Sequence, residues 1–285
     1  MAPNPLGLSR EDPHPPSPVE KTVFDLLCTY LPPDSSLTAI EAAKQLHDAF
    51  PSTPPKPRDD DELYRPETLK QFLFELWEMM FRIVPQLHWR GEPMQRFISL
   101  LQAMESLPKI PVKDEDQETG YKEWSLHGYF ICGLDERWRQ ISAPEELGDK
   151  CDLKLRNFNG LLANFTNCGI YTPWDYEALL SMMSLETHQR IGHKVLLNST
   201  IPTATVWFIL SAPAIYTACQ ERTCADKKRT RGRLWKADQL QGFSIPRWKF
   251  WRRRLEEVKS HADGTEEFRT LCQEAMDAMD RCEEA

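Results

Sequence analysis

Residues 69–84 read LKQFLFELWEMMFRIV, and their apolar side chains recur at helical spacing. The first apolar face consists of Leu69, Phe72, Leu73, Leu76, Trp77, Met80, Ile83 and Val84. Phe74 and Phe81 add a second apolar face to the same helix. A helix that is apolar on two sides is usually buried among other elements. We therefore predict that this helix is the core of a helical bundle.

Helical spacing of apolar residues extends through most of the chain, and no window of six or more residues alternates as a strand does. Residues suited to begin a helix precede several of these segments: Thr38, followed by Glu41 as in a capping box, Ser244 and Thr265. These patterns predict an all-α fold, an irregular multi-helix bundle of about nine to eleven helices with no sheet. The last two helices are expected to pack as an antiparallel pair.

The domain organisation follows from composition. Residues 1–18 are rich in proline and have no apolar core, which predicts a disordered leader. Residues 19–285 are expected to form a single helical domain. Within it, residues 51–65 predict a proline-rich and acidic linker, and residues 225–243 predict a basic loop.

Composition also bounds the compartment. The eight cysteines form no dense framework and no secretory leader is recognised, so we expect reduced thiols in a soluble, intracellular protein of the cytoplasm or nucleus. Residues 201–219 are largely apolar but include Pro202, Pro213 and several hydroxyl side chains. A buried helix that begins at Pro202 is therefore favoured over a membrane span, and no membrane partner is expected.

A basic segment is the strongest functional feature of the sequence. Residues 227–254 contain eleven Lys or Arg and one acid, a net charge of +10, whereas the whole chain carries −8 and the rest therefore −18. Aromatic residues interleave with these cations, as in sites for single-stranded nucleic acid. The predicted polyanion-binding residues are Lys227, Lys228, Arg229, Arg231, Arg233, Lys236, Arg252 and Arg253.

Three interpretations of this segment stay open. It binds a nucleic acid or another acidic partner, or Lys227 to Arg233 form a nuclear import signal. In the third interpretation, Arg252 to Arg254 pair with the chain's own acids, such as Asp59 to Glu62 or the nearby Glu256 and Glu257. Trp248 and Trp251 share one helical stripe with Leu255 and Val258, which favours burial over base stacking. The predicted structural anchors are Trp77, Trp124, Trp248 and Trp251.

A family resemblance rests on the C-terminal third. The motif runs through Gly242-Phe243-Ser244, Arg247-Trp248 and Trp251, and a closing helix with Ala275, Met276 and Met279 follows. Upstream, Trp124, residues 134–138 and residues 157–162 fit the same pattern. Together they resemble the fungal domain of unknown function family 3632. The resemblance implies an all-helical fold in a fungal protein, and it brings no assigned activity and no known catalytic or binding residue.

Catalytic and metal sites find little support in the sequence. It contains no G-x-S-x-G elbow and no phosphate-binding loop, so we predict no catalytic residue and no cofactor. Cys219 and Cys224, like His188 and His193, are five residues apart and unsuited to one helix face, so we predict no metal site.

The expected function is that of a non-enzymatic interaction or scaffold protein with an unknown protein partner. One alternative is nucleic-acid or acidic-partner binding through residues 227–254. The other, implied by the resemblance alone, is an accessory role in a fungal small-molecule (secondary metabolite) pathway.

Overall fold

The computed structural model describes residues 4–49, 69–108, 111–113, 121–123, 129–142, 151–168, 175–187, 199–222, 232–236 and 242–284. The chain forms two compact units, Met1–Gln140 and Ile141–Ala285, where the sequence predicted a single domain over residues 19–285. The predicted linker at 51–65 lies outside the described residues. So does most of the predicted basic loop at 225–243.

Ten α-helices occupy the described residues, which confirms the all-α prediction. They are α1 (Pro18–Tyr30), α2 (Ala39–Asp48), α3 (Leu69–Ile83), α4 (Glu92–Ser106), α5 (Tyr129–Ser142), α6 (Cys151–Cys168), α7 (Asp175–Met182), α8 (Ile201–Glu221), α9 (Ile245–Lys259) and α10 (Glu266–Glu284). The predicted caps are confirmed. Thr38 and Glu41 form a capping box on α2. The Ser244 hydroxyl accepts a hydrogen bond from the Arg247 amide in the first turn of α9, and the Thr265 hydroxyl accepts one from the Phe268 amide in the first turn of α10.

A short antiparallel strand pair corrects the expectation that the chain has no sheet. β1 (Pro111–Lys113) pairs with β2 (Tyr121–Glu123), with Val112 opposite Lys122. Each strand has three residues, too few to show the period-two alternation by which strands are recognised in a sequence.

The helix α3 is central to the first unit, as predicted, although Phe74 of its second apolar face is 53% exposed. It packs against α1, and most of its described side chains are buried. Trp77 and Phe81 meet Phe130 of α5 edge to face, with ring centroids 5.0 and 5.3 Å apart. Such aromatic pairs contribute about 0.5–1.5 kcal/mol beyond the area that they bury.

The N-terminal segment 4–17 has a defined course, which corrects the prediction of a disordered leader. Leu8 is buried, and the Ser9 amide donates to Gln86 Oε1 at 2.8 Å. Farther along, Glu11 pairs with Arg137 of α5 at 2.6 Å, and Asp12 pairs with Arg82 of α3 at 3.2 Å. The composition of the segment could not predict this order, because it is held by one buried apolar residue and by two acids that pair with arginines distant in the chain.

Glu75 of α3 gives the first unit a predicted pH dependence. Burial raises the pKa of its carboxyl, and the charges of Glu20 and Glu78 add to this, whereas the hydrogen bond from Ser17 Oγ opposes it. The unfolded chain therefore releases this proton first, so the stability of the unit falls as pH rises from about 4.3, the ordinary pKa of a glutamate, through the raised pKa.

We expect Glu75→Gln to raise the free energy of unfolding at pH 7 and to leave it nearly unchanged at pH 4. Urea unfolding at both pH values measures the difference. An equal effect at the two pH values would show that the carboxyl does not carry the pH dependence.

The helix α8 is the centre of the second unit, where it packs against α6, α7, α9 and α10. Among the described residues, it is the one helix long and apolar enough to span a membrane by length and composition, and 67% of its most apolar window is buried inside the protein. Pro213 lies inside it, and Ser211 leaves helical geometry at the resulting kink. At this kink the Ser211 hydroxyl donates to the Ala163 carbonyl of α6 at 2.6 Å.

The last two helices form the predicted antiparallel pair. Near the start of α9, Trp248 Nε1 donates to Glu283 at the end of α10, at 2.8 Å. One turn farther along α9, both guanidinium nitrogens Nε and Nη2 of Arg252 donate to Asp280 at 2.7 Å. The contacts thus run in opposite directions along the two helices, and they place α9 with one face on α8 and α10 and the other toward solvent.

Candidate functional site

The predicted polyanion-binding residues divide into two groups. Lys227, Lys228, Arg229 and Arg231 lie outside the described residues. Arg233 and Lys236 lie in the turn 232–236, and Arg252 and Arg253 lie on α9. The second group shows how the basic segment is organised.

A fully buried ion pair lies beneath this segment. Glu186 ends a 3-10 helix, Met183–Glu186, that directly follows α7, and Arg247 lies in the first turn of α9. Neither side chain is exposed to solvent. Arg247 Nε donates to Glu186 Oε1 at 2.6 Å, and Arg247 Nη2 donates to Oε2 at 3.0 Å. This two-bonded geometry is the strongest arrangement available to a carboxylate and a guanidinium.

Two further donors complete the surroundings of the Glu186 carboxylate. Trp251 Nε1 donates to Oε1 at 2.8 Å, and the backbone amide of Gly232 donates to Oε2 at 2.6 Å. A Cβ atom on Gly232 would lie 2.5 Å from Glu186 Cβ and 2.7 Å from its carbonyl oxygen. Position 232 therefore has no room for a side chain.

The C-terminal sequence motif folds around this pair. The carbonyl of Gly242 accepts from Arg247 Nη1 at 3.0 Å, and the ring of Phe243 meets Trp251 edge to face. Ser244 caps α9, which brings Arg247 and Trp251 to the buried side of the helix. Two residues of the motif, Arg247 and Trp251, thus bind one buried carboxylate, and Gly242 and Phe243 contact those two residues.

The predicted tryptophan anchors can be placed for three of the four positions. Trp77, Trp248 and Trp251 are at most 2% exposed, and Trp124 lies outside the described residues. Sequence analysis did not single out Glu186, which is 61 residues before Arg247 in the chain. The available signal was Arg247 itself, a cation on the same helical face as two buried tryptophans.

A basic surface lies above the buried pair, and we define it as Arg233, Lys236, Lys249 and Arg253, all of them exposed. The turn 232–236 is held on α9 because the Trp235 ring packs on Phe250, with centroids 5.3 Å apart. The Arg253 guanidinium lies 5.5 Å from the same Phe250 ring. This aromatic contact therefore joins the turn that carries Arg233 and Lys236 to the helix that carries Lys249 and Arg253. Lys249 was not among the predicted binding residues.

Two other arginines of α9 are turned toward the protein's own groups. Arg252 is held by Asp280, which raises the pKa of the guanidinium and lowers that of the carboxyl. Arg254 pairs with Glu257 and donates to the Leu185 carbonyl at 3.0 Å. Internal pairing thus describes Arg252, whose partner is Asp280, and Arg254, whose partner is the nearby Glu257. The other proposed acids, Asp59 to Glu62, lie outside the described residues. Arg253 reaches Glu257 only at 3.8 Å and is 67% exposed.

Three of the described thiols have raised pKa values, which bears on whether they could act as nucleophiles. Burial raises the pKa of Cys28 to about 11, and that of both Cys219 and Cys272 to about 12. These three side chains therefore stay protonated at neutral pH, and a protonated thiol is a poor nucleophile. His188, His193 and Cys224, which were weighed above as metal ligands, lie outside the described residues.

Comparison with known proteins gives one finding. Residues 77–255 match the sequence model of a family described as protein of unknown function (DUF3632). The matched range includes Glu186, Gly232 and Arg247. No curated protein and no solved structure matches the chain significantly.

Proposed function

The chain belongs to the DUF3632 family of proteins of unknown function, and we propose that it is a non-enzymatic interaction protein whose basic surface binds an acidic macromolecule. The observation that supports this proposal is the contact between Trp235 and Phe250, which joins two segments that together carry four exposed cations. The segments are held together by a buried carboxylate that has four hydrogen-bond donors.

Electrostatics favours a partner on this surface. Lys249 and Arg253 are four residues apart on α9, and like charges at this spacing destabilise a helix by about 0.2–0.5 kcal/mol. An acidic partner relieves this repulsion when it binds. It also releases the counterions that its own charges hold, which makes such binding strongly dependent on salt.

The non-enzymatic part of the proposal is supported by the chemistry of the described side chains. Three of the cysteines are buried with raised pKa values, and the sequence contains neither a G-x-S-x-G elbow nor a phosphate-binding loop motif. The buried Glu186 carboxylate is fully engaged by its donors and has no contact with solvent. Its role is therefore to hold other groups in place.

Charge reversal tests the proposed function. The variant changes Arg233, Lys236, Lys249 and Arg253 to Glu, and binding is measured by fluorescence anisotropy with a labelled DNA duplex and, separately, with a labelled poly-glutamate peptide. We expect affinity for the acidic probe to fall at least tenfold, because about four counterion-releasing contacts are lost.

A matched control reverses four exposed cations of the first unit, Lys21, Lys44, Arg90 and Arg139. It changes the net charge by the same amount as the test variant. Because these residues are not part of the basic surface, it should retain most of the parent's affinity. Equal losses in the two variants would mean that overall charge alone governs binding, and the basic surface would not be the site. The probe that binds the parent more tightly identifies the class of partner.

A further inference from the structure

We infer that Glu186 is the positioning residue of the basic surface: its buried carboxylate fixes the turn 232–236 and α9 to each other. The importance of this role for binding rests on the proposed function. The role itself is argued only from hydrogen bonds within the second unit.

The turn is tied to Glu186 by two backbone bonds. The Gly232 amide donates to Oε2 at 2.6 Å, and the Leu234 amide donates to the Glu186 main-chain carbonyl at 2.9 Å. These bonds bracket Arg233, so the position of its backbone is set by Glu186. Lys236 follows two residues after Leu234.

The helix α9 is tied to the same carboxylate from the other side. Arg247 and Trp251 lie four residues apart on its buried face, and both donate to Oε1. Their exposed neighbours two residues on, Lys249 and Arg253, therefore have their positions set by the same group. One side chain thus connects the two segments that supply the cations.

The two attachments depend on each other energetically. A buried carboxylate that loses a donor is left partly unsatisfied, and this destabilises the folded state because no water replaces the lost bond. Hydrogen bonds in such a network also strengthen one another in a medium of low polarity. Displacement of the turn therefore weakens the seating of α9, and a shift of α9 weakens the hold on the turn.

Gly232→Ala tests the inference without changing any member of the ion pair. The added methyl would come within 2.5 Å of Glu186 Cβ, so the turn must move away. We expect trypsin to cleave after Arg233 and Lys236 at least ten times faster than in the parent, because cleavage requires local opening. The slope of log affinity for the DNA duplex against log salt should become less negative by about 2, since Arg233 and Lys236 leave the surface.

A control variant separates this effect from general loosening. Ala278→Gly lies in α10, where the alanine is buried, and glycine inside a helix lowers its stability. It should not accelerate cleavage after Arg233 and Lys236 selectively. Cleavage sites are assigned by mass spectrometry of the fragments.

The outcomes distinguish the two proposals. Unchanged cleavage and an unchanged salt slope in Gly232→Ala would overturn the positioning role. If the parent binds neither acidic probe, the proposed function fails, whereas faster cleavage in the variant would still show that Glu186 holds the turn. Equal acceleration in Ala278→Gly would also overturn the inference, because the turn would then follow the stability of the whole unit.

Discussion

Glu186→Ala is expected to lower the free energy of unfolding of the second unit by about 3–5 kcal/mol, since removing one partner of a buried ion pair leaves the other charge buried without compensation. Arg247 would lose both bonds to the carboxylate but keep the one to the Gly242 carbonyl, and Trp251 Nε1 and the Gly232 amide would lose their acceptor. Urea unfolding followed by tryptophan fluorescence measures the loss, because Trp248 and Trp251 report on this region.

Two companion variants sharpen the test. Glu266→Ala removes an exposed acid that lies 3.6 Å from Arg269, and such pairs contribute about 0–1 kcal/mol. The double variant Glu186→Leu with Arg247→Met removes both charges at once and should cost less than Glu186→Ala alone. If the double variant has a lower free energy of unfolding than Glu186→Ala, the loss in Glu186→Ala does not come from the unpaired charge of Arg247, and this explanation is wrong.

Phe81→Ala is the second large effect, and we expect the first unit to lose about 3–5 kcal/mol of unfolding free energy. Phe81 is 1% exposed and meets Phe130 edge to face, and its ring lies against the place where a Cβ of Gly133 would be, at 3.3 Å. Truncation leaves a cavity between α3 and α5 that rigid neighbours refill only in part.

Phe74→Ala is the matched control on the same helix. Phe74 is 53% exposed, so its truncation should change stability by no more than about 0.5 kcal/mol. Urea unfolding of the two variants under one set of conditions gives the comparison. Similar losses from both would contradict the central position assigned to α3.

The helices were predictable because each depends mainly on its own sequence. The apolar spacing of residues 69–84 and the capping residues Thr38, Ser244 and Thr265 are local signals, and local hydrogen bonds are what they specify. The division into two units was not predictable in this way. It depends on the packing of α8, whose composition shows that it is buried but not which helices bury it.

The candidate site was predictable only in outline. Charge counting located the basic segment, and helical spacing indicated that Trp248 and Trp251 are buried. The partner of each cation depends on contacts between distant parts of the chain, as when Arg252 meets Asp280 across the α9–α10 pair. Glu186 was missed for the same reason, since its four donors lie 46 to 65 residues away in the chain.

Salt-dependent binding by the parent chain tests the central claim most directly. Anisotropy of a labelled DNA duplex and of labelled poly-glutamate is measured between about 50 and 200 mM salt. For the duplex, neutralisation of about four phosphates by the basic surface predicts a slope of log affinity against log salt of about −3.5 or steeper. An acidic protein partner would instead appear as salt-sensitive binding of the peptide alone. Absence of binding to both probes at low salt, or affinity that does not change with salt, would contradict the claim that this surface binds an acidic macromolecule.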